Sequence, residues 1–363
     1  MFQYLFLFFI FIIILSLSYP GKGMSLSGKK GKGIFILCVF SLGVLAAFRS
    51  PIVGNDTLEY IRIFESCDEM LSSGSRFEIG YLMYNSLIRQ ISNNVQVFFI
   101  ITSIIIFTTY GIYIWKYSSR PKLAFLLFFI LSFPGTVNTM RQCIAICFLL
   151  FSLESVVNRK LFVFIFYVLL ASFFHATAIL FIFVYPLSYL KINRMTLSLF
   201  AICALSGYLL FADLLNIGFS YFSMYEYYSQ GKYFEGETRV ASVVKFIFSI
   251  IIFSLGYYAY CLKSEDWKNT KEGKRYALFL LMAVIAVCID FVSLRVNLID
   301  RLDLYFTCVS FVLISNSICI LPPHSRRIIA ISILFLFVFY NCVAMSLRPD
   351  WNRVYPIELE WNL

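Results

Sequence analysis

Polar residues that could bind an anion stand at the ends of apolar runs in this chain. In segment 134–142 a Pro-Gly break precedes Asn138, Thr139, Arg141 and Gln142. Asn138 or Thr139 could cap a new helix, and its N-terminus beside the Arg141 guanidinium would suit a phosphate or diphosphate. The alternative is that Arg141 only reaches towards lipid headgroups. Gln142 and the Pro-Gly break favour a polar cavity around Arg141 over a single arginine that anchors the helix in the headgroup region.

A second candidate segment, 49–60, follows an apolar run directly. Arg49 could hold an anion, and Asp56 or Glu59 could accept a proton from a hydroxyl, with Tyr60 close by in the sequence. The same Gly-Asn-Asp pattern also forms ordinary turns in which Asp56 caps a helix. The sequence leaves both interpretations open.

One histidine and one charged cluster complete the set. His175 lies in an apolar stretch and is either a hydrogen-bonded structural residue or part of the same outer site as Arg141. The cluster consists of Asp290, Arg295, Asp300, Arg301, Asp303 and Tyr305. Its charges either neutralise one another or supply Arg301 as a second arginine for a diphosphate or charged sugar. We interpret Lys245 as a snorkelling anchor.

The composition identifies the elements that must position these residues. Of 363 residues, 60% are hydrophobic and only 14% are charged, with 41 Phe, which is too apolar for an ordinary soluble domain. The net charge of +10 arises from basic residues in short loops, a pattern of membrane topology rather than of nucleic-acid binding. The ten Cys show no disulfide framework or metal pair.

The apolar runs predict an all-α, polytopic integral membrane protein with about 12 transmembrane helices, or 11 if 123–157 is one kinked helix. We favour two crossings there, because Pro134-Gly135 breaks the run and Lys122 and Lys160 both belong inside. The predicted spans are 2–19, 34–48, 95–116, 123–136, 141–157, 161–174, 176–190, 196–215, 241–262, 276–294, 302–321 and 328–347. The six basic loops then lie in the cytoplasm and both termini lie outside.

We expect a single integral membrane domain over 1–363. Its largest outer loop is 49–94, in which 77–91 has the apolar spacing of an interfacial helix. A second outer loop, 216–239, is rich in Tyr. An interfacial aromatic belt is the favoured explanation for these tyrosines, and stacking on sugar rings is the alternative.

Short motifs in a fixed order carry a resemblance that runs over nearly the whole chain. They are Gly54-x-Asp56-x-x-x-Tyr60, Glu78-x-Gly80-Tyr81, Arg141-Gln142, Phe174-His175-x-x-Ala178, Arg301-x-x-x-Tyr305-Phe306 and Val354-Tyr355-Pro356. In this order the chain resembles the EpsG-like branch of the Wzy polysaccharide polymerases. We assign no role to Tyr355-Pro356.

The resemblance implies a glycosyltransferase-type enzyme, and a GT-C-like membrane architecture is compatible with it. Such an enzyme joins repeat units linked to polyisoprenyl (undecaprenyl) diphosphate into O-antigen or a related envelope polysaccharide, at the outer face of the bacterial inner membrane. Arg141 and Arg301 would then clamp the diphosphate, while Asp56, Glu78 or His175 would orient or deprotonate the acceptor hydroxyl. The further expected substrate-binding residues are Arg49, Gln142, Tyr60 and Tyr305.

Other functions fit parts of the same pattern. A flippase for the lipid-linked sugar would also be polytopic, but we find no repeat of one half in the other, and the charges cluster outside rather than at the midplane. A ligase that passes finished polymer to a lipid core would share the donor. We predict no metal and no cofactor, and as partners the lipid-linked oligosaccharide and membrane lipids, without nucleic acid. The resemblance further implies a chain-length regulator protein as a partner.

Overall fold

The computed structural model describes residues 1–16, 29–221, 238–295, 297–348, 350 and 352–360. These residues are almost entirely helical, as predicted. The α-helices are α1 Phe2–Ser16, α2 Lys29–Ala47, α3 Thr57–Ser73, α4 Ile79–Ile91, α5 Val95–Tyr117, α6 Pro121–Leu131, α7 Phe133–Asn138, α8 Met140–Val157, α9 Leu161–Phe174, α10 Val184–Leu187, α11 Arg194–Tyr221, α12 Val240–Cys261, α13 Glu265–Asn269, α14 Lys271–Ser293, α15 Leu304–Thr307, α16 Ser310–Ile320 and α17 Pro323–Leu347. The described residues also include two 3₁₀ helices, Ala176–Phe183 and Asn297–Arg301.

The helices form two compact units. The first contains Met1–Ser152, Ile165–Ile179 and Pro322–Leu363, and the second contains Leu153–Phe164 and Leu180–Leu321. In the first unit α2 runs antiparallel to α5, because Phe35 meets Trp115 at one end while the Gln96 side chain donates to the Ala47 carbonyl at the other. In the second unit α14 packs against α11 and α12. The expectation of one domain over 1–363 stays a prediction.

The lengths of the helices correct the predicted number of crossings. In the described part of the chain, five helices are long and apolar enough to span a membrane, namely α5, α8, α12, α14 and α17. A sixth is added if the bent pair Ile299–Thr307 and Ser310–Ile320 is one span. The protein is therefore a membrane protein, but these helices do not support twelve crossings or the outward placement of both termini that follows from that count.

Several predicted spans correspond to helices that are too short. Two of these helices are α6, with 11 residues, and α9, with 14 residues, so they cover about 16–21 Å of a hydrocarbon core that is about 30 Å thick. Segment 123–157 is neither one helix nor two, because α6, α7 and α8 divide it near Pro134. The run 176–190 begins as a 3₁₀ helix and continues as the short α10.

The loop 49–94, which is predicted to lie outside, is partly helical. Most of segment 77–91 forms the helix α4, whose buried face includes Tyr81, Leu82 and Ile88; its position at a membrane interface stays a prediction. The same 49–94 loop also contains α3, whose buried face includes Cys67. The predicted Tyr-rich loop 216–239 starts within α11, and its residues 222–237 lie outside the described residues.

Candidate functional site

Arg141 and Glu78 form an ion pair in the first unit. Arg141 Nη1 lies 2.5 Å from Glu78 Oε2, and the two side chains are 24% and 16% exposed. The other carboxylate oxygen, Oε1, accepts a hydrogen bond of 3.0 Å from the Ala176 N–H. Glu78 therefore joins the start of α4, the start of α8 and the first residue of a 3₁₀ helix.

Aromatic rings line the guanidinium of this pair. Arg141 Cζ lies 5.0 Å from the centroid of Phe77 and 5.7 Å from that of Tyr81. Tyr81 meets Tyr60 edge to face at 6.4 Å. Burial raises the pKa of both tyrosine hydroxyls above their usual range, so both remain neutral. Cation–π contacts and one carboxylate thus hold the Arg141 side chain in place.

Gly80 explains the spacing of the Glu78-x-Gly80-Tyr81 motif. A Cβ atom at this position would lie 2.6 Å from the Phe173 carbonyl oxygen, so only glycine lets α4 approach the end of α9 this closely. That contact brings Glu78 to Ala176 and hence next to His175 in the chain. The sequence contained a clue to this contact. A glycine within an amphipathic helix lowers the stability of the helix, so its presence points to a close packing contact.

The beginning of α8 differs from the prediction. The Met140 N–H donates to the Tyr60 hydroxyl at 3.0 Å, and that hydroxyl donates to the Asn138 carbonyl at 2.9 Å. The first N–H of the helix is therefore already used, so it does not belong to a free anion-binding end. The Thr139 hydroxyl donates back to the Gly135 carbonyl at 2.9 Å.

Asn138 instead connects two chain segments. Its Oδ1 accepts a 2.6 Å hydrogen bond from the Asn55 N–H, and its Nδ2 donates to the Asn352 carbonyl at 3.0 Å. Gly54 beside it has φ +88°, and a Cβ there would lie 3.0 Å from Asn138 Oδ1. The positive φ and the lack of space for a Cβ atom explain why residue 54 is a glycine. Asp56 is exposed and occupies the N-cap position of α3, without a capping hydrogen bond from its side chain.

A segment without any predicted role organises this turn. We call residues 352–360 the strap. The Ser50 N–H donates to the Glu358 carbonyl at 2.7 Å, the Glu360 N–H to the Phe48 carbonyl at 2.9 Å, and the Gly54 N–H to the Arg353 carbonyl at 2.8 Å. Backbone hydrogen bonds leave no pattern of side-chain types, so they could not be predicted from the sequence.

Arg49, the residue predicted to hold a substrate anion next to the second apolar run, is buried. Its side chain is only 1% exposed, and its Cζ lies 4.2 Å above the Phe99 ring. The guanidinium donates to the Ala46 carbonyl at 2.5 Å and to the Thr57 hydroxyl at 3.3 Å. Burial lowers the pKa of Arg49 to about 10, so it stays charged at neutral pH. These contacts indicate a structural cation.

The remaining predicted residues of the first unit are His175, Gln142 and Tyr60. His175 is half-buried between α9 and the 3₁₀ helix, with Nδ1 2.9 Å from the Thr177 hydroxyl. Gln142 is buried, at 3% exposure, in the first turn of α8. Tyr60 is also buried, so in this conformation it supports the site from within.

Arg301 and Tyr305 belong to the second unit. Arg301 is exposed at the end of the 3₁₀ helix Asn297–Arg301, whereas the Tyr305 side chain is fully buried and supports the fold in this conformation. Lys245 of the same unit is more than a snorkelling anchor. Its Nζ forms ion pairs with Asp290 at 3.8 Å, with Asp303 at 2.9 Å and with Asp300.

Three comparisons place this chain among known proteins. No curated protein and no solved structure matches the chain. The model of the EpsG family matches residues 32–359, which include Arg141, Glu78 and the other predicted site residues. This is most of the sequence, and the chain belongs to the EpsG family.

Proposed function

We propose that this protein is a polysaccharide polymerase that joins polyisoprenyl-diphosphate-linked oligosaccharide units into O-antigen or a related envelope polysaccharide. Membership of the EpsG family supports a polymerase-type role in polysaccharide synthesis. The observation that carries the proposal further is the Arg141–Glu78 pair, which holds a partly exposed arginine between aromatic rings in a membrane protein. A planar, oriented guanidinium suits a diphosphate.

The reaction is a glycosyl transfer. The bond between the anomeric carbon of the growing chain and the diphosphate oxygen breaks, and the bonding electrons leave with the diphosphate. A hydroxyl oxygen at the non-reducing end of the new unit forms the new bond, and its proton passes to a base. Negative charge develops on the leaving diphosphate, so a fixed cation beside it lowers the barrier.

The geometry supports different roles for the two members of the pair. Arg141 is the diphosphate-binding residue. Glu78 already accepts hydrogen bonds from Arg141 and from the Ala176 N–H, so we assign it as a positioning residue rather than the base. His175 and Asp56 are the candidate bases, because His175 adjoins Ala176 and Asp56 is exposed beside the turn that Asn138 holds. Arg301 belongs to the second unit, and its role as a substrate-binding residue stays a prediction from the sequence.

The first test uses cells that lack this protein. We expect the surface polysaccharide ladder on a gel to collapse to single repeat units, while lipid-linked units still accumulate in the outer leaflet. Units trapped in the inner leaflet would identify a flippase instead, and long polymer left unattached would identify a ligase. An unchanged ladder would contradict all three functions.

Variants in the same cells then test the site. Arg141→Lys keeps the charge but loses the planar fork, so we expect shorter or less polymer, and Arg141→Ala should give none. Arg62→Ala, which changes an exposed arginine of α3, is the matched control and should restore the full ladder. Full activity of Arg141→Ala would refute the role of Arg141. Asp56→Asn and His175→Gln tested side by side assign the base to the residue whose loss abolishes polymer.

A further inference from the structure

An apolar groove runs along the outside of the first unit between α2 and α5. Its volume is about 590 Å³. The helices approach closely at its floor, where a Cβ on Gly111 would lie 3.0 Å from Val39 Cγ1. Phe40, 65% exposed, and Ile104, 60% exposed, form part of its rims.

Positive charge lies at one end of this groove. Lys32 in the first turns of α2 and Lys116 in the last turn of α5 both line it and both have exposed side chains. These lysines lie near each other because the two helices are antiparallel, with Phe35 packed against Trp115. The other end, near Ala47 and Phe48, has no Lys or Arg among the groove-lining residues that the structure describes.

The helix dipole of α2 adds to this charge. The N-terminus of a helix carries a partial positive charge, and α2 begins with lysines at 29, 30 and 32 of the sequence. Lysines at a helix N-terminus are unfavourable unless an anion compensates them. The apolar walls and the basic end together therefore match a molecule with an apolar chain and a negatively charged head.

The groove is also long enough to extend along the whole of one bilayer leaflet. At 1.5 Å per residue, the stretch of α2 from Lys32 to Phe48 is about 24 Å long, which exceeds half of a hydrocarbon core of about 30 Å. An acyl chain that begins at the lysines would thus lie lengthwise in the groove. On α5, Gln96 and Lys116 are about 30 Å apart by the same measure, so the lysines and the Arg49 end lie at opposite surfaces of the membrane.

We propose that the α2–α5 groove binds one anionic phospholipid, with an acyl chain between the helices and its phosphate on Lys32 and Lys116. This site is separate from the Arg141–Glu78 pair and does not depend on the proposed polymerase activity. The phospholipid would come from the leaflet at the lysine end. The polyisoprenyl diphosphate of the proposed reaction would instead need its diphosphate at the opposite end of the groove, which lies nearer the candidate site.

Native mass spectrometry of the purified full chain tests this proposal. Phosphatidylglycerol and phosphatidylcholine with identical acyl chains are the probes, because they differ in net charge and share their apolar part. We expect one phosphatidylglycerol to be retained above the level seen with phosphatidylcholine. In Lys32→Gln/Lys116→Gln its affinity should fall about fivefold for each lysine removed.

Two further variants separate charge from shape. Thr108→Trp adds a ring to the groove at an exposed position of α5, so it should displace the phospholipid while both lysines remain. Lys160→Gln/Lys191→Gln removes two exposed lysines away from the groove and should bind like the unaltered protein. Circular dichroism of each variant shows that the helices are intact.

Other outcomes would overturn the proposal. Equal retention of the two phospholipids, or unchanged retention in the Lys32→Gln/Lys116→Gln variant, would show that no anionic headgroup is recognised. Displacement of phosphatidylglycerol by a polyisoprenyl phosphate in competition would make the isoprenoid lipid the occupant. A dimer that disappears in Thr108→Trp would show that a second copy of this chain fills the groove.

Discussion

Glu78 accepts hydrogen bonds from two segments, so its charge and its acceptor oxygen can be tested separately. Glu78→Gln keeps an oxygen for the Ala176 N–H and removes the charge that holds Arg141. A hydrogen bond between charged groups contributes about 1.5–3 kcal/mol, so we expect polymer formation to fall about 10- to 100-fold. Polymer yield in complemented cells measures this effect, with the thermal unfolding temperature as a check on folding.

Glu69→Gln is the matched control for Glu78→Gln, because Glu69 is an exposed carboxylate on α3. It should leave the polymer unchanged. Glu78→Ala removes both contacts and should also lower thermal stability. Normal polymer from Glu78→Gln would show that the ion pair does not position Arg141 for the reaction.

Arg49 is expected to affect stability before activity. Arg49→Lys keeps a positive charge but cannot reproduce the planar contact with Phe99 or the separate donors to Ala46 and Thr57. We expect a loss of about 1–3 kcal/mol in unfolding free energy, measured by thermal unfolding in detergent. Arg62→Lys, at an exposed position, should change little. Lost activity with unchanged stability would restore Arg49 as a substrate-binding residue.

At the scale of elements, the strap fixes the loop that carries Asp56. Ile357 in the strap is buried, whereas the neighbouring Glu358 exposes its side chain and bonds through its backbone. Ile357→Asp would bury a charge, and we expect it to destabilise the protein by about 2–4 kcal/mol and to lower polymer yield. Glu358→Ala should stay within about 0.5 kcal/mol. Thermal unfolding of both variants is the measurement, and equal stabilities would show that the strap is not anchored.

The elements also show how far the sequence determines the fold and the site. Apolar runs and breaks predicted most helices, and the amphipathic spacing predicted α4, because both depend on neighbouring residues. The structure explains the motif glycines Gly54 and Gly80, because a Cβ atom at either position would come too close to a neighbouring segment. The Arg141–Glu78 pair joins residues 63 positions apart, and the strap bonds through its backbone. Neither contact produces a periodic pattern of residue types, so neither could be predicted from the sequence.

At the scale of the whole molecule, the exposed apolar side chains and the long helices require a membrane, but the order of crossings depends on the basic residues. α5 is the most useful helix for a test, because it has 23 residues and belongs to the first unit with the candidate site. Lys116 lies at its end, and Gln96, bonded to Ala47, lies at its start. The positive-inside rule places the Lys116 end in the cytoplasm.

We therefore expect the two ends of α5 to be labelled from opposite sides. Asn93→Cys precedes the helix and Ser119→Cys follows it, and both positions are exposed. A membrane-impermeant maleimide should label Asn93→Cys in intact cells and Ser119→Cys only in inverted vesicles, each above the background of the native cysteines. Labelling of both from one side would mean that α5 does not cross the membrane. The reverse pattern would place α5 in the opposite orientation and the Arg141–Glu78 site on the cytoplasmic side, where lipid-linked units that have already been flipped would not reach it.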